Sequence, residues 1–401
     1  MKAVYTTLFL AFACLPKHAI AEDPVKKLTL IDAVETALKN NIEYNNYNLA
    51  VEQSKVLKKT AYTFEKTQFF IGQDKNNVAD NGYPLNIFGI EQSFNFPSVY
   101  INQNKLNKKS VSLAEKERDN QRLRLIKEVS LAYYNINYIA NKEKYYSHLD
   151  SIYSNLKIEV EKNNKSGKTS ALEVLNFRAA HQQILIAIDH LRYDAATATK
   201  KLMLLMNDNT PFTIPQMECV ELMISNQPLR MNPGVQYKEL VTQIHEDQLN
   251  IEKSLLLPDI TLSIYNGTNR YTNSKNYLGY EIGFSIPILF SGQKAKIKSE
   301  KIAISISEND KEDLHRKLKF KREELMNEIK KLRESLNYFT STGIKLSEEI
   351  SVNAKEDYRA EKIDLFQYVQ SIENAITIEI EYLDWLSKYN SVVLELNYLS
   401  L

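Results

Sequence analysis

Cysteine is almost absent from this sequence, which has only Cys14 and Cys219 among its 401 residues. Two cysteines are too few for a disulfide framework or for a metal site built from thiolates. An excess of charge of one sign is also missing, because 51 lysines and arginines are balanced by 50 aspartates and glutamates. A balance this even gives no electrostatic reason to expect nucleic acid as a partner.

Catalytic motifs are missing too. The sequence contains no G-x-S-x-G, no P-loop, no H-E-x-x-H and no Cys–His arrangement. No histidine beyond residue 21 lies three or four positions from another, as helical metal ligands would. The sequence therefore predicts no enzyme, no cofactor and no bound metal. These histidines are His148, His181, His190, His245 and His315.

Long hydrophobic runs are lacking as well, since none reaches the roughly 18 residues of a transmembrane helix. Residues 1–21 nevertheless resemble a secretory signal, with Lys2, a short apolar run and the small-residue site Ala19-Ile20-Ala21. Lipidation at Cys14 stays open. A secreted chain without a spanning helix can still cross a membrane through β-strands.

A strict two-residue alternation marks the segment that begins at residue 280. Its apolar residues occupy one face, and Glu281, Gly283 and Ser285 occupy the other, which is typical of a strand with one apolar and one polar surface. A lysine-rich helix pattern follows after Ser291-Gly292. The apolar set is Tyr280, Ile282, Phe284, Ile286 and Ile288.

This strand and the helix after it occur twice in the chain. Glu91, Phe94 and Pro97 precede Glu281, Phe284 and Pro287 by 190 positions each. Such a repeat indicates two homologous halves rather than two unrelated domains.

The predicted order of elements is the same in both halves. The first repeat covers residues 22–210 as a helix, a β-hairpin at 65–96, a long helix and a further helix. A proline-rich linker occupies 211–232. The second repeat covers 233–401 with its hairpin at 259–289.

The helices are unusually long. The first helix is predicted from Leu28 to about Lys59, with Thr29 as its N-cap. The next runs from about Gln103 to Lys162, which at about 1.5 Å per residue is on the order of 90 Å. The long helix of the second half carries a coiled-coil-like seam. This seam comprises Leu325, Ile329, Leu332, Leu336, Phe339, Gly343, Leu346 and Ile350.

Several motifs, in this order and spacing, resemble the outer-membrane efflux duct (TolC-like) family over essentially the whole chain after residue 21. LTLIDAVETALKNN resembles the first-helix motif of that family, and FSIPILFSGQKAKI resembles its strand-to-helix signature. The segment beginning YRAEKIDLFQYVQSIENA resembles its last-helix signature. The sequence is most similar to the heavy-metal and cation efflux (CzcC/CusC-like) branch.

The resemblance implies a mainly α-helical homotrimer with a small β part. Four strands per chain are too few to close a barrel in lipid, so three chains would form a 12-stranded β-barrel in the outer membrane. An α-helical barrel would continue across the periplasm to a periplasmic adaptor. The duct would passively conduct the substrate of an inner-membrane resistance-nodulation-division (RND) pump, here heavy-metal cations. Drug efflux, and type I secretion with an ABC transporter, remain alternatives.

Two helix turns are the candidate surfaces for contact with the adaptor. They include Ser166, Gly167 and Lys168 in the first half and Arg359 and Ala360 in the second. The usual glycine of the second turn is replaced by Glu361.

The same end of the duct is the candidate gate. Family members often carry acidic residues at positions that resemble Gln367 and Gln370, so a charged ring here would need Asp364 or Glu361. Three like charges around a narrow lumen would favour cations. Asp364 has an equally good alternative role, as the N-cap of the last helix.

A coiled-coil scaffold in the periplasm or at the cell surface is the alternative from another class of protein. The long seams are compatible with it. The two hairpins argue against it, because a scaffold has no use for four alternating strands at two equivalent places.

Overall fold

The computed structural model describes residues 26–167, 169–225 and 228–399. The predicted signal and Cys14 lie outside these residues. The chain is mainly α-helical with a small antiparallel sheet, which confirms the predicted fold class. Among the described residues, no helix combines the length and the apolar character that a membrane span requires.

The first half begins with β1 (Lys26–Lys27), α1 (Leu30–Asn40) and α2 (Ile42–Leu57). A short 3-10 turn at Lys58–Tyr62 leads into β2 and β3, and two long helices and a short strand follow. These elements are β2 (Gln68–Val78), β3 (Pro84–Phe94), α3 (Pro97–Lys165), α4 (Ala171–Met206) and β4 (Phe212–Thr213).

The second half has its own hairpin between helices. A 3-10 turn at Leu229–Met231 precedes it. Its elements are α5 (Pro233–Ser254), β5 (Asp259–Thr268), β6 (Tyr277–Ser285), α6 (Ser291–Tyr338), α7 (Ile344–Arg359) and α8 (Leu365–Asn397).

The single first helix predicted from Leu28 to Lys59 is wrong, because the structure breaks it at Asn41. Thr29 does cap α1, as predicted, through a capping box with Asp32. Asn41 has an extended backbone, and its side-chain oxygen accepts from the Tyr44 N–H at 2.9 Å. Its amide nitrogen donates to the Leu205 carbonyl of α4 at 2.9 Å. The break thus follows from a helix cap held by a tertiary hydrogen bond.

The predicted seam of the long second-half helix is right as far as Gly343 and wrong beyond it. A π-helical turn at Phe339–Gly343 separates α6 from α7 and adds one residue to the helical turn. The buried positions therefore move by one, so Ser347 is fully buried and Leu346 is 39% exposed. Ser347 donates to the Ala375 carbonyl of α8 at 2.9 Å, which accounts for a hydroxyl at a buried position.

The four long strands form one antiparallel sheet in the order β2-β3-β5-β6, so the central pairing joins the two halves. Its register puts Phe284 opposite Ile260, Ile282 opposite Leu262 and Tyr280 opposite Ile264. One face is therefore apolar across all four strands, and it is exposed. Its most exposed members are Phe69, Ile71, Phe88, Ile264, Leu278, Tyr280, Ile282 and Phe284.

The opposite face combines small and polar side chains with apolar ones such as Phe70, Leu85 and Tyr265. Glu91 accepts a hydrogen bond from Ser263 at 3.0 Å on this face, beside Glu281 in register. A Cβ added at Gly279 would lie within 3.0 Å of the Tyr265 ring, and one added at Gly89 would lie within 3.0 Å of the Phe70 ring and of Tyr265 Cβ. Each of these two glycines is therefore required by an aromatic ring of a neighbouring strand that lies across its backbone.

The linker packs against the helices as an extended belt. Asn390 of α8 accepts from the Leu222 N–H and donates to the Val220 carbonyl, both at 2.8 Å. Asn397 binds the Ser225 N–H and the Met223 carbonyl in the same way. Side-chain amides thus satisfy backbone groups of linker residues 220–225. The linker's Cys219, Leu222 and Ile224 pack on the core between α6 and α8.

Candidate functional site at the paired helix turns

Two helix turns, α3–α4 and α7–α8, meet at the end of the molecule remote from the sheet. The Tyr358 hydroxyl of α7 donates to the Glu159 carboxylate of α3 at 2.6 Å. The two turns border one groove of about 560 Å³, which Asn163, Thr169 and Arg359 also line. The structure thus brings together the two segments that the sequence predicts to be equivalent.

The first turn ends α3 with a left-handed residue. Ser166 is the C-cap, and Gly167 follows with φ +76° and donates to the Asn164 carbonyl at 3.1 Å. Ser170 then caps α4 through a capping box with Glu173. Lys168, predicted with Ser166 and Gly167 as a docking residue, lies outside the described residues.

The second turn repeats this geometry with different residues. Glu361 has φ +56° and donates to the Tyr358 carbonyl at 3.1 Å, and Lys362 donates to the Asp357 carbonyl at 2.9 Å. These two bonds are those of a Schellman motif, which usually places glycine where Glu361 stands. Arg359 ends α7, and Ala360 is its C-cap.

Asp364 caps α8, the role that the sequence left open beside a gate. Its Oδ1 accepts from the Phe366 N–H at 2.9 Å and the Gln367 N–H at 2.8 Å. The Gln367 side chain accepts in turn from the Asp364 N–H at 3.0 Å. Two of the four predicted gate residues are therefore partners in a capping box. The other two, Glu361 and Gln370, are exposed.

A buried apolar cluster lies beneath both turns, and its Leu365 also lines the groove. Val160 of α3, Phe177 of α4 and Leu365 of α8 belong to one buried cluster, which also includes Ala354 of α7. Burial of this cluster holds the two helical hairpins together, because each hairpin alone would expose its apolar stripe.

Sequence reasoning missed two tyrosine–glutamate pairs that join the hairpins. Tyr153 of α3 donates to Glu373 of α8, and Tyr358 donates to Glu159. Burial, and then the bond to the neighbouring carboxylate, raise the pKa of each tyrosine well above its usual range. Both tyrosines are therefore hydrogen-bond donors at any physiological pH. The abundance of tyrosine is the only sequence signal for these bonds, because each tyrosine is about 200 residues from its glutamate in the chain.

Two of the five histidines lie beside a single carboxylate each. His181 lies 2.7 Å from Asp150 and His245 lies 3.1 Å from Glu300. Over the described ranges, no three histidine, cysteine, aspartate or glutamate side chains are close enough to one another to hold a metal ion.

Comparison with solved structures places the fold. The chain is similar to CusC, with a TM-score of 0.75, 15% identity and coverage of 94% of this chain and 93% of CusC. It is similar to the Campylobacter jejuni CmeC outer membrane channel, with a TM-score of 0.73, 14% identity and coverage of 92% and 85%. The open Neisseria gonorrhoeae MtrE outer membrane channel gives a TM-score of 0.70, 13% identity and coverage of 92% and 88%.

The fold is thus that of the TolC-like outer-membrane channels. No family model and no curated protein sequence matches the chain. The identities of 12–15% show that the similarity lies in the backbone arrangement rather than in the residues.

An exchange of residues between the two turns tests the backbone strain at Glu361. A side chain at positive φ costs about 1 kcal/mol relative to glycine. We expect Glu361→Gly to raise the thermal midpoint of the helical circular dichroism signal and Gly167→Glu to lower it. No atom lies within 4 Å of a Cβ at Gly167, so this effect comes from the backbone alone. Shifts of the same sign in both variants would show that the left-handed position does not set the stability of these turns.

Proposed function

We propose that the chain is the outer-membrane channel of a tripartite export system. The observation that carries this proposal is the four-stranded sheet, with an exposed apolar face and two free edges, attached to helices far longer than a soluble core needs. Exposed apolar surface of this extent is typical of a site that contacts lipid or protein.

The strand lengths support contact with lipid. The four strands have 11, 11, 10 and 9 residues, and a tilted transmembrane strand needs about 9–11. Ile282 and Phe284 then face the hydrocarbon, while Glu281, Gly283 and Ser285 face the lumen. This arrangement follows the alternation of outward apolar and inward polar residues in outer-membrane proteins.

The free edges support a homotrimer. Within the described residues, β2 and β6 each pair on one side only, so each leaves a row of backbone donors and acceptors without partners. In lipid such groups must be satisfied. Pairing of β2 of one chain with β6 of the next would satisfy them, and three chains would close a twelve-stranded barrel.

The helices form the periplasmic duct in this proposal. The 69 residues of α3 extend about 100 Å, and α6, the π turn and α7 run almost as far. The two helix turns then lie deepest in the periplasm, where Ser166, Gly167, Arg359 and Ala360 meet the adaptor and, through it, the pump.

The cargo is proposed from the sequence resemblance alone. We assign heavy-metal cations exported by an RND pump, with drug efflux or type I secretion as alternatives. The fold does not separate these, because a shared backbone arrangement at 14–15% identity does not identify a cargo. A coiled-coil scaffold is disfavoured, since it gives no role to the exposed apolar face of the sheet.

The face assignment is tested with arginine at two adjacent positions of β6. Arginine facing lipid near the membrane midplane costs about 2–4 kcal/mol, whereas the lumen tolerates it. We expect Ile282→Arg to remove most of the heat-modifiable trimer from the outer-membrane fraction and Glu281→Arg to leave it. Equal amounts of trimer in the two variants would show that this face does not contact lipid.

Docking at the turns is tested by crosslinking in a Cys219→Ser background. We expect Ser166→Cys and Ala360→Cys to crosslink in cells to a cysteine at the helical tip of the adaptor. Leu204→Cys is a matched control, because it is 77% exposed but lies at the opposite end of α4. Crosslinks from Leu204→Cys alone would rule out docking at the turns.

The gate is tested by removing its charges without removing the helix cap. Asparagine caps a helix about as well as aspartate, so Asp364→Asn combined with Glu361→Gln preserves the fold. If three-fold symmetry places these carboxylates around a narrow lumen, the double variant loses cation selectivity and block by multivalent cations in planar bilayers. Lys319→Gln, remote from the turns, is the control. Unchanged selectivity in the double variant would contradict a charged gate.

A further inference from the structure

Positive charge is concentrated where the helices meet the sheet. The four segments of fourteen residues that adjoin the long strands on their helical side contain ten lysines and four acidic residues. Their net charge is therefore +6, against +1 for the whole chain. These segments are 54–67, 95–108, 245–258 and 286–299.

One stripe of this charge lies on α3. Asn107 donates to the Leu57 carbonyl on one side of the helix, and Lys109 pairs with Asp247 of α5 at 2.8 Å on the other. With about 100° of rotation per residue, Lys105 and Lys108 occupy the face that points away from both neighbours. Ile101, which is 54% exposed, lies on that face one turn nearer the sheet.

A second stripe lies on α6. Gln293 and Glu300 point toward α5, where they bind Glu252 and His245. Lys294, Lys298 and Lys301 lie within about 60° of one another on a neighbouring face. This stripe also begins with an exposed apolar residue, since Lys294 Nζ lies 4.4 Å from the centre of the Phe290 ring.

The two stripes share one surface of the molecule. β3 and β6 run in the same direction, so α3 and α6 also leave the sheet in the same direction, with α5 between them. Their lysine faces consequently lie on the same side of the helical layer. Within the described part of the chain, none of these five lysines forms an ion pair with an acidic residue.

We propose that this surface, the basic collar (Lys105, Lys108, Lys294, Lys298 and Lys301), binds the phosphates of anionic phospholipids in the leaflet that faces the helices. The inference rests on the proposed function, since the apolar face of the sheet must lie in a bilayer. A change from exposed apolar side chains to unpaired lysines within one helical turn matches the boundary between hydrocarbon and headgroup.

Electron paramagnetic resonance of spin-labelled lipids tests the proposal. The trimer is reconstituted in phosphatidylcholine vesicles that carry spin-labelled phosphatidylglycerol or spin-labelled phosphatidylcholine. The fraction of each spin-labelled lipid whose motion the protein restricts gives the association constant of phosphatidylglycerol relative to that of phosphatidylcholine. We expect a several-fold preference for phosphatidylglycerol, which falls toward one in about 1 M NaCl, where the Debye length is about 3 Å.

The variant Lys294→Gln/Lys298→Gln/Lys301→Gln should lose most of this preference. The matched control is Lys319→Gln/Lys330→Gln/Lys345→Gln, which removes the same charge from exposed positions on α6 and α7 remote from the sheet. Its preference should be unchanged. An equal loss of the phosphatidylglycerol preference in the two variants would overturn the proposal. The salt dependence of this preference in the unmodified protein tests the proposal without any variant.

The remaining outcomes distinguish failure of the basic collar from failure of the channel proposal. If the trimer restricts the motion of both lipids equally, the proposal for the basic collar is wrong and the channel proposal stands. A chain that restricts neither lipid does not enter the bilayer, and both proposals would fail. Inorganic phosphate at constant ionic strength should leave the preference unchanged. If it abolishes the preference, the lysines bind free phosphate and the lipid assignment is wrong.

Discussion

The antiparallel pairing of β3 with β5 is the constraint on which the rest of the structure depends. It joins the two hairpins of the described chain into one sheet, and its register places the apolar side chains of all four strands on one face. Since strands alternate faces with a period of two, a shift by one residue would place the apolar set of one hairpin among polar groups of the other. The same pairing sets the direction in which α3 and α6 leave the sheet.

At the end of the molecule remote from the sheet, the two helix turns have the same backbone geometry but are built from different residues. Gly167 and Glu361 both hold the left-handed position that ends a helix, and Ser170 and Asp364 both begin the next helix through a capping box. The backbone needs a chain reversal at these places, and the orphan donors and acceptors of the helix ends need partners. Glycine satisfies the first need at lower conformational cost, but a glutamate in a well-bonded Schellman motif also satisfies it.

The distribution of side chains along the molecule follows the environments that we propose for it. An apolar band on the sheet is followed by a basic collar, and then by helices whose charges are mixed and largely solvated. Each helical hairpin buries its stripe against the other, and tyrosine–glutamate bonds such as Tyr153–Glu373 join them. The long helices therefore owe their stability to packing between the halves more than to intrinsic propensity.

The sequence by itself determined the elements that local periodicity specifies. The alternation around Ile282 predicted a strand with one apolar and one polar face, and Thr29 predicted the start of the first helix. These signals are local, because a pleat, a helical turn and a cap involve residues at most a few positions apart. Only the tertiary structure decided the break at Asn41, which depends on a bond to Leu205 of α4. It also decided the π turn before Ile344 and the bond between Tyr358 and Glu159. In each case the sequence was compatible with more than one arrangement, and a partner far away in the chain, or the packing of a neighbouring helix, selected one of them.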